Sequence, residues 1–186
     1  MGMVKIVELT DVTFFDTDCL SSFLLVGRES IILQIFEGKI KIPQVVIDEL
    51  KDAEVLYNKL DIYIKRGKVE IVDIDFGGEA FELYEEFTSD PKDGYKIIGK
   101  GEAAVLALAK VYNGVVASNN LRDVVHYIKK YRLKYITAGE ILREALARTL
   151  IDEKTGNKIW NDMKKKGRIL PNKTFSEYLK SEFVIK

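Results

Sequence analysis

The sequence predicts an α/β fold: a central parallel sheet of about four or five strands flanked by helices, closed by a C-terminal helical hairpin. Three observations predict it. Short apolar runs at 12–15 and 115–117 alternate with longer segments of helical periodicity, the pattern of a parallel sheet covered on both faces. After Asp152 the alternation stops, and 155–166 and 174–183 read as two helices with no strand between them. Acidic residues also stand at the ends of apolar segments far apart in the chain. In an α/β fold, ligands bind at the carboxyl ends of the strands.

Each element has its own reason. Residues 12–15 (VTFF) read as a buried strand ending at Asp16. A helix follows over 19–26, with Asp18 placed to cap it. Residues 29–36 form a second helical piece. Alternation in Lys39-Ile40-Lys41-Ile42 marks the next strand, and Pro43 opens a helix, proline being suited to a first helical position. That helix turns Val46, Ile47 and Leu50 inward and carries Glu49. A helix over 53–65 stops at Gly67, and 69–72 is a strand. Gly77-Gly78 breaks the chain before a helix over 79–87. The turn-rich stretch TSDPKDGYKIIGK, residues 88–100, reads as a loop. An alanine-rich helix over 102–111 ends before Gly114, and 115–117 is a compact strand. A helix over 121–131, a strand over 134–136 and a helix over 138–150 complete the alternation. This places an α/β domain at residues 1–152 and a helical hairpin, packed on the same domain, at 153–186.

Composition narrows the class. At 186 residues and 47% hydrophobic, the chain can bury the core of one domain with an appendage. No apolar run approaches the roughly 20 residues that span a bilayer, so no membrane partner is expected. Glu8 and Asp11 interrupt any signal-peptide pattern after Met1. A single cysteine, Cys19, excludes an internal disulfide and a Cys-based zinc site, and a cytoplasmic location is expected. Net charge is zero, yet residues 154–186 hold nine Lys/Arg against Asp162, Glu177 and Glu182, a net +6 that leaves −6 on the rest. Such asymmetry sets an acidic region beside a basic, anion-attracting tail, or marks a solvated helix face.

The chemistry lies in four acids: Asp16 in TFFDTDCL, Glu49 in PQVVIDEL, Glu102 in GKGEAAVLALA and Asp123 in ASNNLRDV. Gathered at one sheet end, they would repel one another unless a divalent cation neutralised them, and oxygen-only ligands suit Mg²⁺ or Mn²⁺. Each has a plainer role beside this one. Glu102 in a first helical turn complements the helix dipole, Asp123 lies three residues after a capping Asn, and Glu49 alone is an ordinary surface acid. Other chemistries lack their parts. GKGE does not have phosphate-loop spacing, Ser118 has no Ser-His-Asp context, and His126 is the only histidine. Asp16 and Asp18 beside Cys19 would raise the thiol pKa and make it a poor nucleophile.

In order, these segments resemble the PIN domain nucleases, in the prokaryotic branch that includes VapC-like toxins. DTDCLSSF is similar to the DTNxL opening, PQVVIDEL to Pro-x-x-Val-x-x-Glu-Leu, and GEAAVLALA to the third motif. ASNNLRD stands in place of the usual Thr/Ile-Asp-Asp, and GNKIWNDMKKKGRILPNKTFSEYL resembles the branch's last helices. The likeness runs from about residue 12 to residue 180. It implies a PIN-like fold and a Mg²⁺- or Mn²⁺-dependent ribonuclease that hydrolyses RNA phosphodiester bonds. It also suggests the toxin of a toxin–antitoxin pair, with a small antitoxin as partner, and admits a homodimer. By motif position Asp16, Glu49 and Glu102 carry over as catalytic metal ligands. The fourth acid does not, because Asn120 holds its place with Asn119 beside it. Asn120 can still coordinate through its carbonyl oxygen, and Asp123 is the expected substitute carboxylate. Arg122, Lys129, Lys130 and the basic tail are candidates to hold the RNA backbone by charge.

Two other readings stand beside this one. A carboxylate lost to Asn weakens metal affinity, leaving a PIN-like binding module without catalysis. FFDTDCL also resembles the opening of haloacid-dehalogenase-like phosphatases, with Asp16 as nucleophile and Asp18 as acid/base. That family has Gly-Thr where Cys19-Leu20 stand, and SNNLRD is a poor match to its later paired-Asp loop.

Overall fold

The structure, a computed structural model, describes residues 11–181. The opening ten residues and positions 182–183 of the expected last helix lie outside that range. Five strands, β1 (Thr13–Phe15), β2 (Ile40–Pro43), β3 (Glu70–Val72), β4 (Val115–Ala117) and β5 (Lys134–Ile136), form one parallel sheet in the order β3-β2-β1-β4-β5. From β1 the chain winds outward one way through β2 and β3. It then returns to the other side of β1 for β4 and β5. The switch point therefore lies between β1 and β4, where an α/β sheet opens its ligand crevice.

Ten helices connect or flank the described strands: α1 (Thr17–Leu25), α2 (Glu29–Ile35), α3 (Gln44–Lys51), α4 (Glu54–Lys65), α5 (Glu79–Thr88), α6 (Lys100–Val111), α7 (Leu121–Tyr131), α8 (Ala138–Ala147), α9 (Glu153–Lys165) and α10 (Phe175–Lys180). The central strands β1 and β4 are buried throughout, and α6 is buried at Gly101 and from Ala103 to Ala109, with Glu102 half-buried between them. The fully buried alanines of α6, Ala103, Ala104, Ala107 and Ala109, are small enough to let a helix pack closely on its neighbours. Phe15 meets Phe36 edge-on at 5.3 Å between ring centres. Trp160, Phe175 and Tyr178 close a second aromatic layer, in which α9 and α10 contact each other, α1 packs on α9, and both last helices pack on α8.

Several expected boundaries move, each for a local reason. The α1 helix begins at Thr17, and its cap is Asp16 rather than Asp18: the Asp16 side chain accepts the Cys19 N–H. Pro43 is the last residue of β2; its ψ of 143° keeps it extended, and the helix begins at Gln44. The helix expected to reach residue 150 stops at Ala147, and Thr149 takes a positive φ of 57° that no helix continues. Within the expected loop 88–100, Lys92–Gly94 make one tight 3-10 turn.

Candidate active site

Asp16 sits at the carboxyl end of β1, and its backbone N–H donates to Ala117 O across the switch point at 3.0 Å. The residue is 2% exposed. One carboxylate oxygen, Oδ1, accepts the Cys19 N–H at 2.7 Å. The other, Oδ2, is buried and accepts no well-formed hydrogen bond. Burial pushes the Asp16 pKa up to about 7, the charges of Asp18 and Glu102 add to it, and the Ser118 hydroxyl and Cys19 N–H temper it. A buried carboxylate oxygen without a partner is costly, and a cation is the group that would complete it.

Glu49 comes from α3 and Glu102 from α6, and both line the cavity that Asp16 lines. The Thr17 hydroxyl donates to Glu49 Oε2, so the residue following Asp16 orients the second acid. Gly101 leaves the space that Glu49 occupies, since a Cβ there would lie 2.9 Å from both its carboxylate oxygens. Glu102 turns back to cap its own helix, Oε2 accepting the Gly99 N–H at 2.9 Å. Its other oxygen accepts the Asn120 amide at 2.6 Å. Asp16, Asp18, Glu49 and Glu102 line one cavity of about 200 Å³, together with Thr17, Gly99 and Gly101.

The β4–α7 turn arranges its residues differently from one another. Asn119 is structural: its amide donates to Ser22 Oγ at 3.2 Å and its carbonyl accepts the Ala138 N–H at 2.9 Å, tying α1 to the start of α8. Asn120 faces the acids, and its Nδ2 donates to Asp123 Oδ2 at 2.8 Å as well as to Glu102. Asp123 stands behind Asn120 and pairs with Lys96 at 3.1 Å. The Asn120 hydrogen bond, then Lys96 and Arg122, hold its carboxyl below the usual range. It is not among the residues lining the 200 Å³ cavity.

Several neighbours were not singled out by sequence reasoning. Thr17 and Gly101 each adjoin a chosen acid, and that adjacency was the available signal. Ser118, set aside as a nucleophile, is 1% exposed and accepts the Asn120 N–H at 3.2 Å. Asp18 pairs with Arg168, 150 residues away, at 2.5 Å, a contact no local pattern announces. The Cys19 thiol is pushed up chiefly by burial, with Asp16 and Asp18 adding less. His126 is exposed, its ring 5.8 Å from that of Tyr95. Lys130 reaches Glu86 and the Tyr95 and Tyr131 rings instead of the acid cavity.

Among the described residues, no three Asp, Glu, His or Cys side chains stand ready as a metal cage. Glu49 and Glu102 are held by the Thr17 hydroxyl and the Asn120 amide instead. The donor set nonetheless fits a hard divalent cation. It offers oxygen ligands only, carboxylates and the Thr17 hydroxyl, in one small cavity, and the buried Asp16 Oδ2 accepts no well-formed hydrogen bond.

A parallel α/β sheet with carboxylates gathered beyond the end of β1 fits the PIN domain class. A family model described as a PIN domain matches residues 12–182, and the chain belongs to that family. Among solved structures it is similar to a chain of VapBC2 from Rickettsia felis, determined bound to a DNA fragment from their promoter. The TM-score is 0.51 at 20% identity, covering 67% of this chain and 97% of that one, which shows a shared fold. No curated protein matches the chain. Family membership leaves the phosphatase reading without support.

Proposed function

We propose that the chain is a Mg²⁺- or Mn²⁺-dependent ribonuclease that hydrolyses phosphodiester bonds. The observation that carries this reading is the buried Asp16 carboxylate, whose Oδ2 accepts no well-formed hydrogen bond, in a cavity shared with Glu49 and Glu102. PIN family membership supports nuclease chemistry. A bound divalent cation would supply the water activation and charge stabilisation that this hydrolysis needs.

The chain's own residues divide the remaining work. Asp16, Glu49 and Glu102 would hold the cation. Burial keeps Asp16 poorly solvated, so its negative charge interacts strongly with any cation brought against it. Thr17 positions Glu49, and Asn120 positions Glu102. Asp123 fixes Asn120 from behind, and its Lys96 ion pair suits a supporting place rather than one in the cavity. Likeness to a VapBC2 chain supports a toxin role with a small antitoxin as partner.

Cleavage of single-stranded RNA with Mn²⁺, Mg²⁺ or EDTA tests the reading in wild type and Asp16→Asn. Metal-dependent cleavage lost in the variant is the expected result. Equal cleavage by both proteins would overturn it. One observation favours a second reading, a binding module without catalysis: Asn120 presents N–H groups to Glu102 and Asp123 where a fourth carboxylate would face a metal. Calorimetry with Mn²⁺ decides, since wild type that binds no metal leaves only the second reading.

A further inference from the structure

The acid cavity continues into two others. A groove of about 640 Å³ shares Asp18 and Glu102 with it and is also lined by Arg122 and Arg168. That groove shares Asn119, Leu121 and Ile169 with a pocket of about 380 Å³. The path therefore runs from carboxylates, past two arginines, to a pocket walled by Leu121, Leu170, Pro171 and Tyr178 with Thr137 and Asn172 among its polar groups.

The turn between α9 and α10 builds this path. Gly167, at φ +84°, makes the left-handed step that ends α9. Arg168 follows, its Nη1 on Asp18 at 2.5 Å and on Ser21 Oγ at 3.3 Å, its Nε buried without a partner. Ile169 comes next, 92% exposed and shared by groove and pocket. A single exposed aliphatic residue needs no explanation; what matters here is its position between an arginine-lined groove and an apolar-walled pocket. The far side of the turn is fixed, because Trp160 Nε1 donates to Asn172 O at 3.1 Å and Lys164 Nζ at 3.2 Å. The pocket wall is therefore formed in advance.

We infer that this path is a nucleotide subsite for single-stranded RNA, resting on the ribonuclease reading for its substrate. The scissile phosphate lies at the acid cavity, a flanking phosphate lies between Arg122 and Arg168, and the flanking base enters the pocket past Ile169. Arginine suits the phosphate because its planar fork matches phosphate oxygens. An unpaired base offers a flat face to apolar and aromatic walls and a polar edge to hydroxyl and amide groups. Bases inside a duplex are stacked and cannot enter. The pocket volume falls within the range of small-ligand sites, about 300–1,000 Å³.

Fluorescence anisotropy tests the subsite in EDTA, where the full chain meets a labelled five-nucleotide RNA and its abasic counterpart. Ile169→Gln, which adds no charge to the phosphate groove, should weaken RNA binding roughly tenfold, the scale of one lost base contact, and leave abasic binding unchanged. Ile169→Trp should bind RNA at least as tightly as wild type, and Arg168→Gln should weaken both ligands. Equal RNA binding by Ile169→Gln and wild type, or an equal loss on the abasic strand, would overturn the proposal. So would wild type binding RNA no tighter than the abasic strand. Mn²⁺-dependent cleavage by wild type separates the two readings. Cleavage without an Ile169 effect removes the subsite alone. An Ile169 effect without cleavage removes the nuclease alone.

Discussion

The Asn120 side-chain amide joins Glu102 at 2.6 Å to Asp123 at 2.8 Å. One neutral residue thus satisfies two carboxylates that would otherwise face each other across the β4–α7 turn. In metal-free protein this is a stabilising arrangement, because hydrogen bonds to charged groups contribute about 1.5–3 kcal/mol each. It also spends the position on holding acids apart rather than on adding a fourth charge.

Asn120→Asp should therefore trade stability for metal affinity. Two donor contacts become like-charge contacts, which Lys96 and Arg122 offset only in part. In EDTA the variant should melt several degrees below wild type, since a 1 kcal/mol loss lowers Tm by about 2–4 °C at this size. Saturating Mn²⁺ should close the gap, and calorimetry should show affinity raised about tenfold or more. A variant equally unstable in both buffers, with unchanged Mn²⁺ affinity, would sink this account.

Asp16 gives a pH dependence of definite sign. The folded chain keeps a proton on Asp16 up to about pH 7 that the unfolded chain has already released. Stability of the metal-free protein should thus fall as pH rises from the ordinary carboxylate range to about 7, then level off. Asp16→Asn removes the ionisation, and Asn still caps a helix. The variant should exceed wild type in EDTA at pH 8 by about 2–4 kcal/mol, with the difference shrinking toward pH 5. In wild type, Mn²⁺ affinity should weaken below pH 7 as protons compete. Urea titrations at pH 5 and pH 8 check the sign; a variant less stable at both would refute it.

Much of this arrangement was legible in the sequence. Apolar runs before Asp16 and Asn119 announced β1 and β4, and the alternation announced a parallel sheet. Asp16 and Glu102 were readable because each adjoins an element end, Glu49 only through its PQVVIDEL motif and the company of the other acids, and the structure lines one cavity with all three. Long-range partners were not readable. Nothing near Asp18 signals Arg168, and nothing near Asp123 signals Lys96, because both pairs are made by packing of elements distant in the chain. The cap was misassigned because DTD offers two equivalent acids, and only the exact end of β1 decides which one reaches the Cys19 N–H.

Gly101→Ala should separate folding from metal binding. The added methyl would stand 2.9 Å from both Glu49 carboxylate oxygens, the flexible end of a side chain that is otherwise exposed. Alanine within a helix favours folding by roughly 0.5–1 kcal/mol over glycine. Thermal stability in EDTA should stay level or rise slightly, while Glu49 swings away and Mn²⁺ affinity drops about tenfold or more. Unchanged Mn²⁺ binding in a stably folded variant would show that Glu49 does not hold the cation.

Gly156→Ala probes how the C-terminal helices belong to the domain. A Cβ at 156 would lie 2.4 Å from Phe175 Cδ1, in a layer where Phe175 and Trp160 are fully buried. Overpacking of this kind costs about 1–3 kcal/mol, and helix propensity offsets at most about 1 kcal/mol of it. The net effect should be a lower urea midpoint. Trp160 is the only tryptophan, so its fluorescence reports on α9 while far-UV circular dichroism reports on the whole chain. If the pair α9–α10 forms one cooperative unit with the sheet, the two signals should coincide in wild type and shift together in the variant. A fluorescence transition that precedes the dichroism transition in wild type would instead make the hairpin a separately melting appendage. Loss of the hairpin would then remove the Asp18–Arg168 contact before the sheet unfolds.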